Sequence, residues 1–189
     1  MNTLSNWLYR ISSGYTIVVA IALYGVFLSL VMAPESELVR SYAGAWGSPD
    51  GHLFYTPDEF YAQISTWGDA GRAHYVDFRL GLDPVWALVY TGFLVTITSV
   101  ALRFAFAAGN RRRLLNLVAL LPMLADLAEN ALGMTLIGGY PTRLDWLAWI
   151  TTAISGFKWV TLVIAHLIML YALGAALVAR VVRPRPPIA

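Results

Sequence analysis

Asp126, Glu129 and Asn130 are the residues of this chain best suited to chemistry, and they lie where charge is hardest to keep. They sit inside an apolar run from Leu114 to Ile137 that is long enough to cross a bilayer. Each acid near the centre of a membrane helix costs about 2.5–3.5 kcal/mol, so two persist only where something nearby compensates them. At about 100° per residue, Asp126, Glu129, Asn130 and Gly133 fall on one helix face, which Pro122 and Ala119 extend toward one end. That face is predicted to look into protein, not lipid.

Two readings of the trio stay open. Buried polar groups can simply bridge helices, each contributing on the order of 0.6–2 kcal/mol. Lys158 would then neutralise one acid and Asn130 would bond a neighbouring backbone. In the other reading the pair is chemical. Two acids one turn apart in apolar surroundings cannot both be cheaply ionised, so one is expected to hold a proton beside its ionised neighbour, the usual arrangement for general acid–base work. Asp126 and Glu129 are then the acid–base pair, Asn130 orients one of them, and Lys158 or His166 tunes their charge. A single histidine in a helical bundle is ordinarily a hydrogen-bonded residue. With only His166 in the spans, a haem held by two helical histidines is not expected, and three histidines in all cannot supply a diiron cluster. His74 and Asp77 stand at a spacing metals use, but neither a metal site nor a cofactor is expected.

The elements that must position these groups follow from composition. The chain is 58% hydrophobic and only 13% charged, with a mean hydropathy of +0.62. A soluble domain would carry roughly a quarter charged residues, so an integral membrane protein of one domain is predicted over all 189 residues. Cysteine is absent, which excludes disulfides, thiolate metal sites and dithiol redox chemistry.

Residues 1–10 read as short and polar, and Ile11 to Met32 runs without a charge, enough for one crossing. Spans are predicted near 11–32, 84–103, 114–137 and 146–179, with an extracytoplasmic segment over 33–82. That segment starts loosely, with Pro34, Gly44, Gly47, Pro49 and Gly51 as turn signals. Thr56-Pro57-Asp58-Glu59 then reads as a helix start, with a hydroxyl cap, proline at the first position and an acid at the third. A second short helix begins near Asp69 and carries Arg72, His74, Tyr75, Asp77 and Arg79. The segment is rich in aromatic residues, which favour the headgroup region, so two amphipathic helices lying on the membrane surface are expected. They would form either an interfacial belt or a lid. Asp83-Pro84 repeats the cap-then-proline signal and opens the second span, and Arg183 to Pro187 forms an extended basic tail. The predicted fold is all-α, a polytopic membrane four-helix bundle with short amphipathic interfacial helices between spans 1 and 2.

A rise of about 1.5 Å per residue sets the heights of the polar groups above the cytoplasmic boundary. Asp126 falls at about 18 Å, Glu129 at about 22 Å, Asn130 at about 24 Å, His166 at about 18 Å and Lys158 at about 30 Å. Asp83 sits near the outer end. A polar pocket opening outward or laterally follows, with Arg72, His74, Tyr75 and Arg79 covering it.

The pattern Thr56-Pro57, Gly71-Arg72, Tyr75, Asp83 and Tyr90, followed by Pro122, Asp126 and Glu129-Asn130, resembles a group of small bacterial four-span membrane proteins of unassigned function. The resemblance covers roughly residues 56–130 and implies the topology and the importance of those positions. In layout alone the chain is also similar to the EXPERA-domain proteins, the sterol isomerase and sigma-2-receptor type. Those have four helices, a long segment after the first, and intramembrane acids facing a sterol pocket.

The favoured expectation is a protein that binds or chemically alters a hydrophobic, lipid-like molecule, an isoprenoid, sterol-like compound or acyl lipid. Asp126, Glu129 and Asn130 would be catalytic, and Lys158, His166, Arg72, Tyr75, Arg79, Asp83 and Tyr90 would bind substrate. The alternatives are a non-catalytic accessory subunit of a larger membrane complex and a dimeric proton-coupled transporter. The other expected partners are membrane lipids, and nothing suggests nucleic acid.

Orientation follows from arginine placement. Arg10, Arg103, Arg111, Arg112, Arg113, Arg180, Arg183 and Arg185 fall on one side with no acid beside them, whereas residues 33–83 hold three arginines against eight acids. By the positive-inside rule both termini are cytoplasmic in a bacterial inner membrane. A membrane-impermeant thiol reagent applied to intact cells should therefore label a single cysteine placed in the 33–82 segment and not one placed in residues 1–10. The reverse pattern would invert the topology.

Overall fold

The computed structural model describes residues 3–182. Those residues fold into helices joined by short 3-10 turns and loops, and no strand occurs among them. The basic tail from Arg183 to Pro187 lies outside the described residues. Helix α1 (Thr3–Ile11) turns Ser5, Leu8 and Tyr9 into the protein and leaves Trp7 and Ile11 exposed. This stretch is thus an amphipathic helix and not the short polar lead expected. Ser13 ends it by starting the next helix, since its hydroxyl accepts from Thr16 N while Thr16 Oγ1 accepts from Ser13 N.

Helix α2 (Gly14–Phe27) runs through a π turn (Leu28–Met32) directly into α3 (Ala33–Ala43). The break expected at Pro34 does not occur. Pro34 sits in the first turn of α3, where its missing amide is tolerated, and the wider π turn ahead of it absorbs the misfit. The helix ends at Gly44, whose φ of 64° suits a residue without a side chain. Two 3-10 turns (Gly44–Trp46 and Pro49–Gly51) follow. Helix α4 (Pro57–Thr66) starts as predicted, with Thr56 and Glu59 in a reciprocal capping box. Then come α5 (Gly68–Leu80), α6 (Leu82–Ala105), a 3-10 stretch (Arg111–Leu117), α7 (Leu120–Gly138) and α8 (Asp145–Val182). The third apolar run is therefore two pieces, a 3-10 entry and a shorter α-helix with Pro122 in its first turn.

Four segments are long and apolar enough to cross a membrane: Gly14–Trp46, Leu82–Ala105, Arg111–Gly138 and Asp145–Val182. Helix α8 lies along both α6 and α7, and α2 packs on α6. Helices α4 and α5 are folded onto this frame, α4 against α3 and α8, α5 against α6 and α7. Their rings are interior. Tyr55, Phe60, Tyr61, Ile64 and Tyr75 are buried together with Leu136, Ile137 and Ala148 from the ends of α7 and α8. The segment between the first two long helices is thus part of the core.

At Gly133 the Tyr75 side chain of α5 comes up against α7. A Cβ there would stand 2.6 Å from Tyr75 Oη, and the next nearest Tyr75 atom would be at an ordinary 3.5 Å. Gly133→Ala should lower stability by about 1–3 kcal/mol through overpacking. Tyr75→Phe in the same chain should recover most of that loss, a coupling read by thermal unfolding of the two single variants and the double variant. Additive losses would mean that the contact is not the cause.

Candidate functional site

The α5–α6 junction supplies the first half of the site. Arg79 near the end of α5 and Asp83 in the first turn of α6 stand four residues apart across the Gly81 turn, and Arg79 Nη1 is 3.1 Å from Asp83 Oδ1. Arg79 Nη2 lies 2.5 Å from Asp50 Oδ1 and donates to Ser48 Oγ at 3.1 Å, while Ser48 donates to Asp50. The guanidinium also sits 4.6 Å from the centre of the Tyr75 ring. Asp83 is therefore not the helix cap that Asp83-Pro84 suggested. Its carboxylate is drawn inward because Arg79 offers it a charged donor and Asn130 an amide N–H, which donates to Asp83 Oδ2.

Helix α7 and helix α8 supply the second half. Asp126, Glu129 and Asn130 are 7%, 1% and 2% exposed, so the face read from the sequence is buried within the protein. Lys158 of α8 stands between the acids, its Nζ 2.6 Å from Glu129 Oε2 and 3.5 Å from Asp126 Oδ1, and it donates to the Asp50 carbonyl at 3.0 Å. Tyr90 Oη donates to Asp126 Oδ2 at 3.1 Å. Asp50 joins the two halves, with its carboxylate on Arg79 and its carbonyl on Lys158 and Trp159 Nε1. The connected group holds four carboxylates against two cations. Removing one partner of such a buried pair strands a charge and typically costs about 3–5 kcal/mol.

Other predicted site residues are not brought here. His166 bonds the Leu162 carbonyl of its own helix at 2.8 Å and shares no hydrogen bond or ion pair with the acids among the described residues. Its ring satisfies itself locally, as lone bundle histidines do. Arg72 donates to the Ile64 carbonyl, pairs with Asp69 and stacks on Tyr140, so it ties α4 to α5. His74 Nε2 lies 3.0 Å from Glu35 Oε1. Among the described residues no three histidine, aspartate or glutamate side chains are grouped to hold a metal ion.

A cavity of about 340 Å³ lies between α3 and the Ala45–His52 stretch. Met32, Val39 and Phe78 give it apolar surface, and Glu35, Arg40, Asp50 and Arg79 give it charged groups. Asp126, Glu129 and Lys158 do not line it. On the opposite side of the acids, Leu94, Val95, Ala119 and Ala165 close into a buried apolar layer with Tyr90.

Sequence reasoning missed Asp50, which it read only as part of a turn. The signal lay on α8, where Thr152, Ser155 and Lys158 with Trp159 recur at helical spacing. Each bonds the 50–55 stretch: Tyr55 N donates to Thr152 Oγ1 at 2.9 Å, Ser155 Oγ donates to His52 O at 2.6 Å, and Lys158 and Trp159 both donate to Asp50 O. Three of these four side chains donate; Thr152 accepts.

Burial opposes ionisation of Asp50, but the charges of Arg79 and Lys158 and hydrogen bonds from Ser48 and Arg79 outweigh it and lower its pKa to about 2 from an ordinary 3.8. A lowered acid contributes stability that is complete above the unfolded value and is lost as pH falls through the folded one. The contribution is about 2 kcal/mol and should disappear between about pH 4 and pH 2. Asp50→Asn should therefore be less stable than wild type at neutral pH, with the gap in thermal midpoint narrowing across that window. A constant gap would show that Asp50 carries no such linkage.

Comparison with known proteins finds no family model, no curated protein and no solved structure that matches the chain. Function is argued from the site alone.

Proposed function

We propose that the chain is a multi-pass protein of the bacterial inner membrane, a four-helix bundle with both termini cytoplasmic and α4 and α5 capping its outer end. We further propose that it binds the polar end of a lipid-like molecule, an isoprenoid, sterol-like compound or acyl lipid, in the cavity over Asp50 and Arg79. The observation that carries this reading is the cavity's mixed lining. Met32, Val39, Trp46 and Phe78 give it apolar surface, and Asp50 and Arg79 of the buried ion network, with Glu35 and Arg40 of α3, give it charged groups. An amphiphile needs such a lining, apolar surface for its chain and a few placed polar groups for its head.

Chemistry, in this reading, draws on the groups behind the cavity. Asp126 and Glu129 share Lys158, and Lys158 reaches the cavity through the Asp50 carbonyl, so a charge change at the bound head is felt by the acid pair. Such an arrangement suits acid–base alteration of the ligand. The apolar layer of Leu94, Val95, Ala119 and Ala165 supports a site open from one side over a path through the bundle, and so weighs against the transporter. One observation favours the accessory-subunit reading: the most apolar window of Gly14–Trp46 buries none of its residues within the chain.

The test is direct. Ser36 is exposed and lines the cavity, so Ser36→Trp should fill the space without touching the core. Wild type purified in mild detergent should carry a lipid-like molecule detectable by mass spectrometry of the extracted protein. Ser36→Trp should carry severalfold less at unchanged thermal midpoint. Equal loading of both proteins, or none in either, would rule out the cavity as the site and leave the subunit reading.

A further inference from the structure

A second polar region lies at the opposite end of the bundle, where the buried Arg113 and the exposed Arg103 meet without an acid. Arg113 is 9% exposed, its Nε has no hydrogen-bond partner, and its guanidinium stands 4.4 Å from the centre of the Tyr9 ring. Arg103 approaches the same ring at 5.8 Å and donates to the Tyr9 and Ser12 carbonyls at the end of α1. Neither has a carboxylate partner among the described residues, and the chain places no Asp or Glu in residues 1–34, 84–125 or 146–189. A buried guanidinium is normally paired, because an uncompensated charge out of water costs several kcal/mol. At this end no carboxylate of the described residues supplies the pairing anion.

Helix α1 indicates what supplies it. One face buries Leu8 and Tyr9 against α6 and the 3-10 stretch, yet Trp7 and Ile11 on its other side remain 50% and 47% exposed. An amphipathic helix with exposed Trp and Ile beside arginines is built to lie at the boundary between acyl chains and headgroups. Guanidinium groups match phosphate oxygens in geometry and charge. We infer that Arg113 and Arg103, gathered around Tyr9 beneath α1, form a binding site for the phosphate of an anionic phospholipid headgroup. Trp7 and Ile11 contact its acyl chains. The site rests on the membrane reading of the chain but not on the cavity over Asp50.

Thermal unfolding of the detergent-purified full chain tests this. Phosphatidylglycerol should raise the midpoint of wild type, and phosphatidylcholine with the same acyl chains should not. Arg113→Gln should weaken the phosphatidylglycerol effect at least about fivefold in the concentration required, the loss expected for one arginine contact. Arg180→Gln, at the exposed end of α8, should leave it intact. Inorganic phosphate at matched concentration separates the sources, and a full shift with phosphate alone would overturn the lipid assignment. So would an undiminished effect in Arg113→Gln, or equal effects of the two lipids. Should Arg113→Gln not fold, native mass spectrometry of wild type decides: retained phosphatidylglycerol enriched over the source membrane supports the site, and no enrichment overturns it.

Discussion

Everything at the α4–α5 end of this protein depends on keeping buried charges in contact with one another. Lys158 on α8 and Arg79 on α5 are the two cations that meet the acids of α6, α7 and the Pro49–Gly51 turn. Neither cation serves one partner only. Each draws elements from different parts of the chain to one point, because in low-dielectric surroundings an ion pair is worth having only when both ends are held close and further hydrogen bonds complete them. The network therefore sets the positions of α5, the α5–α6 turn and the Ser48–Tyr55 stretch relative to α7 and α8.

The packing around the network follows from the same need to exclude water. Tyr55, Phe60, Ile64 and Tyr75 cover the pairs from outside with Leu136 and Ile137 beneath them. Gly133 permits the Tyr75 hydroxyl to come up against α7, which no larger residue would allow. On the α1 side the layer around Leu94 and Val95 separates the ion network from the Ser5–Asn116–Ser99 hydrogen bonds. The molecule has two polar ends of opposite character. In one, four acids share two cations, and the other is rich in arginines and has no acid.

Much of this was legible in the sequence. The four long apolar runs, the capping box at Thr56 and the inward face of Asp126, Glu129 and Asn130 are local properties, governed by a helix's period and by short-range hydrogen bonds, and they need no knowledge of what lies across the interior. The arginine bias also reads directly. Lys158 at helical spacing from Thr152 and Ser155 marks a polar stripe on α8, and its part as a neutraliser of one of the acids is already legible in the sequence.

Only the tertiary structure decided which of the polar residues meet. Asp50 and Arg79 lie far apart in sequence with no periodicity between them, and they pair because the Ser48–Tyr55 stretch is bonded to α8 while α5 folds back onto α7. Height along the helices suggested His166 as a partner for the acids, but height leaves rotation about the axis open, and His166 bonds its own helix. The continuation of α2 through Pro34 likewise turned on a π turn that sequence punctuation does not reveal. Helical period and polarity are written residue by residue, whereas the meeting of two buried charges is settled by how whole elements pack, and in this chain it is the packing that builds the site.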